Sequence, residues 1–367
     1  MKILFVIDSL GSGGAQRLFV NIVNGLSTLH YVSVLLYNAN SNFFRDDLLP
    51  NIPVHYIERG TKNGFKFEVI RMLKRHMGSA DVVVSFLPTA NIYCAVAGIM
   101  SRRARHIACE MSVVNETEST VRRMAANFAN FLSRHVICNS FAQADYIRGR
   151  PGMSGKVSAI WNGCADLPFA ARTLRDPRSL SMIVVGRVAY PKNGIRLLQA
   201  LHLFYERNGF VHRVSWAGRD DSDERARLMK KQMLEFLEQH PMVAEKFRFV
   251  GEVSDIGVLY AAADTLILPS IYEGVPNVIC EAMLSGCIVV ATRISDNETI
   301  LGANEERGFL CDPLSPEDIC LAIERRSSMS VKDINQMTQD ARRFAEEHFL
   351  VPKMIDGYRQ VIDDVIQ

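Results

Sequence analysis

Short apolar runs alternate with stretches whose apolar residues recur every three or four positions, almost without a break along the chain. In the first half the runs fall at 2–7, 32–37, 81–86, 105–109, 134–138 and 156–160, lengths that suit buried strands. Helical spacing fills the gaps near 14–28, 66–77, 89–101, 118–132 and 140–149. Strands separated by helix-length segments predict βαβ units, and therefore parallel sheets covered on both faces.

The rhythm lapses over 163–180, where Gly163, Pro168, Pro177 and scattered charges read as a linker. It resumes with a strand at Met182–Gly186, a helix at 193–207, a strand at 211–217 and a helix at 222–238. Further strands are predicted at 247–250, 264–268, 287–291 and 308–311. Ser315-Pro316-Glu317-Asp318 opens a helix with a capping hydroxyl, proline at the first helical position and acids in the first turn. A last amphipathic helix starts near Pro352, with Met354, Tyr358, Val361 and Ile362 on its apolar face. The expectation is α/β: a Rossmann-like domain over 1–165, a second over 166–350, and a helix over 351–367 packing back toward the first. Ligands of such folds sit at the carboxyl ends of the strands, so a cleft between two facing domains is the expected site.

Composition agrees with this and adds limits. The 367 residues suit two cores, since one core rarely grows past ~250–300 residues. With 48% hydrophobic and 22% charged residues, disorder, a collagen-like chain and a disulfide scaffold are excluded. Met1–Asp8 is too short in its apolar part to read as a secretory leader. Val82–Met100 is broken by Ser85, Pro88, Thr89 and Asn91, so it reads as strand, turn and helix and not as a membrane span. The eight cysteines form no C-x-x-C pair and sit mostly in apolar runs, as reduced core thiols of a cytosolic protein would. The net charge of +2 conceals a split: residues 1–165 hold 18 Lys+Arg against 10 Asp+Glu, and the remainder 24 against 30. Arg71, Lys74, Arg75, Arg102, Arg103, Arg105, Arg122 and Arg123 lie in the basic half, which points to a polyanion or an anionic membrane, or only to two solvated domains of unequal charge.

Three loops could carry chemistry. Asp8-Ser-Leu-Gly11-Ser-Gly13-Gly14-Ala-Gln16 follows the first strand and precedes a helix, where glycines let a backbone approach a phosphate or sugar. Gln16 replaces the last glycine of a dinucleotide fingerprint and no acid ends the second strand, so NAD is disfavoured; by itself the cluster could be only a tight turn. Gly186-Arg187 with Lys192 occupies the equivalent turn of the second domain and offers two cations to a pyrophosphate, or two solvated surface charges. Glu273-Gly274-Val275-Pro276-Asn277-Val278-Ile279-Cys280-Glu281 is the most specific. Pro276 suits the first helical position, with amides 277–279 turned toward a phosphate. Glu281, in an apolar run, needs a hydrogen-bonding partner.

The two glutamates seven residues apart, with Gly-x-Pro between them, resemble the signature of retaining GT-B glycosyltransferases of family four. Gly13-Gly14, Asn162-Gly163, Gly186-Arg187 with Lys192, Phe249-Val-Gly251 and Gly308-Phe-Leu match in the same order. The chain looks most like bacterial enzymes that extend polyprenyl-diphosphate-linked O-antigen, capsule or glycoprotein glycans, some of which transfer N-acetylgalactosamine. The resemblance implies a UDP-sugar donor, its ribose held by Glu281 and its sugar by Glu273. Arg187 and Lys192 would clamp the diphosphate, with Gly186, Gly274, Asn277 and Val278 lining the donor and Gly13 and Gly14 closing over it. The His or Arg common after the fourth strand is missing from Ala108-Cys109-Glu110-Met111-Ser112, which leaves Glu110 as the candidate there. Asp221-Ser222-Asp223 reads as a helix cap, and neither metal nor cofactor is expected. A lipid-linked acceptor would bring the basic half to an anionic membrane on its cytoplasmic side, through Phe65-Lys66-Phe67 and Arg71–Arg75. No nucleic acid is implied. An epimerase or hydrolase of the same fold, or a non-catalytic sugar-nucleotide binder, are the competing readings.

Overall fold

Thirteen strands form among the described residues of the computed structural model, which are 1–11, 13–38, 42–57, 67–101, 105–111, 120–170, 178–253 and 255–367, and twelve of them fall on the apolar runs. The chain divides into two compact units, Met1–Gly163 with Val351–Gln367, and Cys164–Leu350.

The first unit runs β1 (Lys2–Ile7), α1 (Gly14–Ser27), β2 (Tyr31–Leu36), β3 (Val54–Tyr56), α2 (Phe67–Met77), β4 (Val82–Phe86), α3 (Pro88–Ile99), β5 (Arg105–Glu110), α4 (Thr120–Leu132), β6 (His135–Cys138), α5 (Phe141–Arg148) and β7 (Val157–Ala159). Its strands form one parallel sheet in the order β3-β2-β1-β4-β5-β6-β7. The short β3 has no apolar run of its own; it joins as an edge strand through Val34, Leu35 and Leu36 of β2. β1 lies between β2 and β4 and is buried on both faces, as the uninterrupted Ile3–Ile7 run requires. On one face Phe5, Phe19 and Phe86 pack edge to face and Tyr358 stacks on Phe86; on the other Leu4 and Val6 meet Val69, Leu73 and Tyr93 of α2 and α3.

The second unit runs β8 (Ser181–Val185), α6 (Gly194–Asn208), β9 (Arg213–Ala217), α7 (Glu224–Gln239), α8 (Pro241–Ala244), β10 (Phe247–Gly251), α9 (Ile256–Ala262), β11 (Thr265–Leu268), α10 (Asn277–Leu284), β12 (Ile288–Thr292), α11 (Asn297–Leu301), β13 (Phe309–Cys311), α12 (Pro316–Ser327) and α13 (Val331–His348). Its parallel sheet is ordered β10-β9-β8-β11-β12-β13. The chain then returns to the first unit as α14 (Val351–Ile366), which buries Met354, Tyr358, Val361, Ile362 and Val365 beside α1. Close approach is possible there because Gly25 of α1 has no side chain: a Cβ would stand 2.2 Å from Ile355 Cδ1.

The aperiodic stretch after 163 is not a free linker where it is described. Cys164 donates its amide to Phe349 O (2.7 Å), Ala170 donates to Ser285 O (3.2 Å), and Arg342 holds both Leu167 O and Asp166. Its order comes from polar contacts with α10 and α13, so no hydrophobic period marks it. All eight cysteines are free and buried.

Burial also fixes a polar chain inside the first unit. His106 of β5 lies between Ser85 Oγ (2.7 Å from Nε2) and Ser133 Oγ (3.1 Å from Nδ1). Ser85 donates to Asn91 Oδ1 (2.6 Å) and Ser133 to Ala129 O (2.7 Å), so the ring is enclosed by two hydroxyls that are themselves anchored. Burial lowers the His106 pKa from 6.5 to about 3, so the ring is neutral. Because the folded value lies below the unfolded one, only the unfolded chain takes up this proton as the pH falls from 6.5 toward 3, and stability drops across that window. Between pH 7 and 5 the loss is about 2 kcal/mol. Urea unfolding of His106→Gln at these two pH values is expected to show a drop smaller than the parent's by about that amount; equal drops would exclude the histidine as the cause.

The ends of β8 and β9 make a second constraint. Gly186 (φ 142°) and Gly218 (φ 152°) face each other, and a Cβ on Gly218 would lie 2.0 Å from Gly186 O, a backbone atom that cannot move aside. Gly218→Ala is expected to destabilise the second unit by about 3 kcal/mol or more. Gly14→Ala, where a Cβ meets open space at the start of α1, should change stability by no more than about 1 kcal/mol, and then upward. Denaturant unfolding of the two variants side by side checks both.

Candidate functional site

In the second sheet β8 and β11 are neighbours whose following connections run to opposite sides, β8 toward β9 and β11 toward β12. Two loops therefore diverge from one point at the carboxyl edge and leave a crevice there. Gly186-Arg187-Val188-Ala189 leaves β8; Pro269–Pro276 leaves β11.

The first loop is built to bring a lysine back over its own strand. Gly186 takes two hydrogen bonds with β9: its amide donates to Ala217 O (2.8 Å) and its carbonyl accepts from Trp216 Nε1 (2.9 Å). A single helical turn, Tyr190–Lys192, follows, and Asn193 then adopts the left-handed conformation (φ 57°) before α6 begins. Asparagine tolerates that conformation better than most residues. Its buried side chain donates to Pro269 O (2.9 Å) and Pro313 O (2.7 Å), and Ile271 donates its amide to Pro191 O (2.8 Å). These bonds stitch the lysine's turn to the end of β11. Lys192 then crosses Gly186, where any Cβ would stand 2.9 Å from Lys192 Cε.

Lys192 Nζ forms an ion pair with Glu273 Oε1, both side chains being 18% exposed. Ser270 Oγ donates to the same oxygen (2.8 Å), and Thr292 Oγ1 fixes Ser270 by donating to its carbonyl (2.6 Å). The two residues to which separate roles were expected are thus held by one another. Arg187 pairs with Asp221 at the end of β9 and remains 58% exposed. Asp223 caps α7 by accepting from Ala226 N (2.8 Å), as the sequence suggested, whereas Asp221 is the partner of Arg187.

Two details of the third loop correct the sequence reading. Pro276 is not the first helical residue: its ψ of 112° is extended, and α10 begins at Asn277. The amide of Ile279 is not turned outward, because it donates to Pro276 O (3.0 Å). Gly274, Asn277 and Val278 lie beside Glu273 in the sequence and lead into the helix. Glu281 sits on α10 between the buried Cys280 and Ala282, and its Oε2 accepts from Tyr260 OH (3.0 Å) on α9. Burial, followed by the Glu281 charge, pushes the Tyr260 pKa well above its usual value, so the hydroxyl stays a donor. Tyr272, beside Tyr190, Arg225 and Glu273, is also raised, chiefly by burial.

The crevice thus joins Gly186, Lys192 and Glu273, with Glu281 deeper on α10. Asn193, Tyr260, Ser270 and Asp221 were not singled out for the site. Asn193, directly before a glycine, was the one with a readable signal. Tyr260 and Asp221 belong to other elements, and only the fold brings them in. In the first unit, Gly13 and Gly14 stand where β1 gives way to α1, and the side chain of Gln16 lies over Gly13 (2.2 Å from a built Cβ). Glu110 ends β5, is buried, and its Oε1 accepts from Asn91 Nδ2 at 3.4 Å. Among the described residues no group of three His, Cys, Asp or Glu could hold a metal ion. Phe65, Lys66, Arg102, Arg103 and Ser112 lie outside the described residues.

Two family models match the chain: Glycosyltransferase Family 4 over residues 12–165 and Glycosyl transferases group 1 over 179–328. A Campylobacter jejuni protein, GalNAc-alpha-(1->4)-GalNAc-alpha-(1->3)-diNAcBac-PP-undecaprenol alpha-1,4-N-acetyl-D-galactosaminyltransferase, is 26% identical over 298 residues, covering 77% of each chain. A second from the same organism, N-acetylgalactosamine-N,N'-diacetylbacillosaminyl-diphospho-undecaprenol 4-alpha-N-acetylgalactosaminyltransferase, is 24% identical and covers 85% of this chain and 86% of its own. In fold, the chain is similar to Anabaena HepE solved in complex with UDP (TM-score 0.82, 20% identity, 99% of this chain and 100% of that one). It is equally similar to a glycosyltransferase of Rickettsia africae (TM-score 0.82, 17% identity, 100% and 98%). With two parallel-sheet units, a family match in each, and the paired glutamates on the loop and helix after β11, the chain belongs to the group 1, family four glycosyltransferases of GT-B architecture.

Proposed function

We propose that this glycosyltransferase moves a sugar from a UDP-sugar to a polyprenyl-diphosphate-linked saccharide with retention at the anomeric carbon, in the assembly of a bacterial surface glycan. The observation that carries the reading is the sheltered Lys192–Glu273 pair at the divergence of β8 and β11. A diphosphate entering there meets a cation that can exchange its carboxylate partner for a phosphate oxygen, with Arg187 able to leave Asp221 in the same way. Glu273, released from Lys192 but still bonded to Ser270, can then accept from sugar hydroxyls. Glu281, oriented by Tyr260, can accept from ribose hydroxyls.

The difficulty of the reaction is departure of a diphosphate while positive charge grows on the sugar ring. Fixed donors at the leaving oxygens stabilise that transition state without reorganising, and each is worth ~10²–10³ in rate. Two cations do this work without a metal. The names of the Campylobacter relatives and of an Escherichia coli UDP-Gal:alpha-D-GlcNAc-diphosphoundecaprenol alpha-1,3-galactosyltransferase favour a lipid-diphosphate acceptor, and the first two favour N-acetylgalactosamine as the sugar. No described helix is long and apolar enough to cross a membrane. In this reading the chain meets its acceptor at the cytoplasmic face of the membrane.

The test is mass spectrometry and anomeric NMR of products after UDP-sugars, including UDP-GalNAc, are offered to a synthetic lipid-diphosphate saccharide. Transfer with retained configuration is expected; an inverted product, or sugar released to water alone, would overturn the reading. Lys192→Ala and Arg187→Ala should each lower kcat by about 10²–10³. Tyr260→Phe should chiefly raise KM for the nucleotide sugar, by about tenfold, because it loosens a group that binds donor and transition state alike. Turnover unchanged in both cation variants would remove them from the mechanism.

A further inference from the structure

The amino edge of the first sheet carries a row of cations. Arg105 begins β5, Arg134 stands directly before β6 and Lys156 directly before β7, and these three strands are consecutive neighbours in the sheet. Backbone bonds fix the row: Arg134 donates its amide to His106 O (2.8 Å), and Val136 donates to Lys156 O (2.8 Å). Adjacent strands lie about 4.8 Å apart, so the three positive side chains spring from about 10 Å of sheet edge. The described ion pairs of the first unit, Arg148–Asp145 and Arg359–Asp356, involve none of them. Like charges so close together raise the free energy of the protein that holds them.

Helix ends account for part of the row. Lys156 Nζ donates to Phe131 O (2.5 Å) and Ser133 O (3.2 Å) at the end of α4, and Arg105 Nη1 donates to Val365 O (2.6 Å) at the end of α14. Cations suit such positions. Both side chains keep donors to spare. Arg134 is exposed, and its side chain makes no hydrogen bond or ion pair among the described residues. Burial lowers the Lys156 pKa, as expected of an ammonium with little negative charge about it.

The three cations border a cavity of about 490 Å³, a size that holds a small organic molecule. Ala95 and Ile99 of α3 and Leu132 of α4 give it an apolar wall. Its polar wall is buried: Ser133 and His106, 2% and 5% exposed, with Ser133 Oγ 3.1 Å from His106 Nδ1. Among the described residues no carboxylate lines it, whereas Asp81 lines the wider hollow of about 960 Å³ that shares Arg105.

We propose that this cavity at the amino edge of the first sheet binds a small organic phosphate, with its phosphate oxygens on Arg105, Arg134 and Lys156 and its carbon part against Ala95, Ile99 and Leu132. Arginine meets phosphate oxygens through paired N–H groups and lysine as a point charge, and the anion relieves the repulsion along the row. Gly13, Gly14 and Glu110 stand at the carboxyl ends of their strands, the opposite edge of the same sheet. The ligand is therefore a further one, separate from the sugar donor and its acceptor.

The test is isothermal titration of phenyl phosphate and of inorganic phosphate into full-length protein carrying Arg187→Ala and Lys192→Ala, which removes the cations of the second unit's crevice. Phenyl phosphate is expected to bind about tenfold more tightly than inorganic phosphate, because its ring leaves water, and more weakly as salt is raised. Adding Arg134→Gln, or separately Lys156→Gln, should weaken binding about tenfold or more. Lys156 also caps α4, so Arg134→Gln decides: alone in the parent it should leave the melting temperature and the rate of sugar transfer unchanged. No binding of phenyl phosphate, equal affinity for the two phosphates, or undiminished binding with Arg134→Gln overturns the proposal. So does attachment to phosphatidylglycerol vesicles, lost in Arg134→Gln, by a protein that takes up neither free phosphate, since the row would then hold a lipid headgroup.

Discussion

A lysine ammonium and a glutamate carboxylate, largely screened from water and held against each other, govern how the carboxyl edge of the second sheet is built. Their contact needs the turn after β8 to come back over its own strand, which needs Gly186 to have no side chain and Gly218 to yield space on the next strand. It needs Asn193 in a left-handed conformation, bonded to the loops after β11 and β13. Ser270, fixed by Thr292 of β12, then sets the glutamate. Five strands contribute to one ion pair. Each member is already desolvated in part and aimed at the other, and in the proposed reaction a donor offering both a phosphate and hydroxyls would divide them with little rearrangement of the protein.

The α/β rhythm was legible because both sheets are parallel and covered on two faces, which makes each central strand a continuous apolar run and each helix amphipathic. Where that logic weakens, so did the reading. β3 is a three-residue edge strand held by its backbone, and residues 164–170 are held by Arg342 and by amide hydrogen bonds. Neither leaves a periodic signature. At the site, the glutamates and cations could be picked out because ionisable groups between apolar and glycine-rich segments need an explanation. Their partners could not: Tyr260 lies 21 residues before Glu281 and Asp221 lies 34 after Arg187, and an ordinary tyrosine or aspartate on a surface helix or loop carries no mark of what the fold will bring near it.

Pro276 shows a finer limit. Proline fixes φ but leaves ψ free, so its presence marks the neighbourhood of a helix start without saying which side of the boundary it occupies. Here ψ is extended, the helix begins one residue later, and the third amide is spent on a local turn. Fewer amides than the sequence suggested therefore face outward from this end of α10, which shifts more of any anion's stabilisation onto the side-chain cations.

The two faces of the first sheet are finished in different ways, and the difference bears on the charge split. One face is closed by α1 and by α14, the last helix of the chain, whose Tyr358 stacks on Phe86 against the aromatic cluster of β1. The opposite face is covered by α2, α3 and α5, and α4 packs on α3 with Ala129 and Asn130 buried while its phenylalanines point away. A sequence under pressure only to fold would exchange those residues, since inward phenylalanines would deepen the core and outward alanines would remove apolar surface from water. Instead the bulky residues are outside, and the exposed cations of α2 and α4 accompany them. The excess of basic residues in the first half is thus not spread as a uniform solvating charge: part of it accompanies the exposed apolar residues of α4.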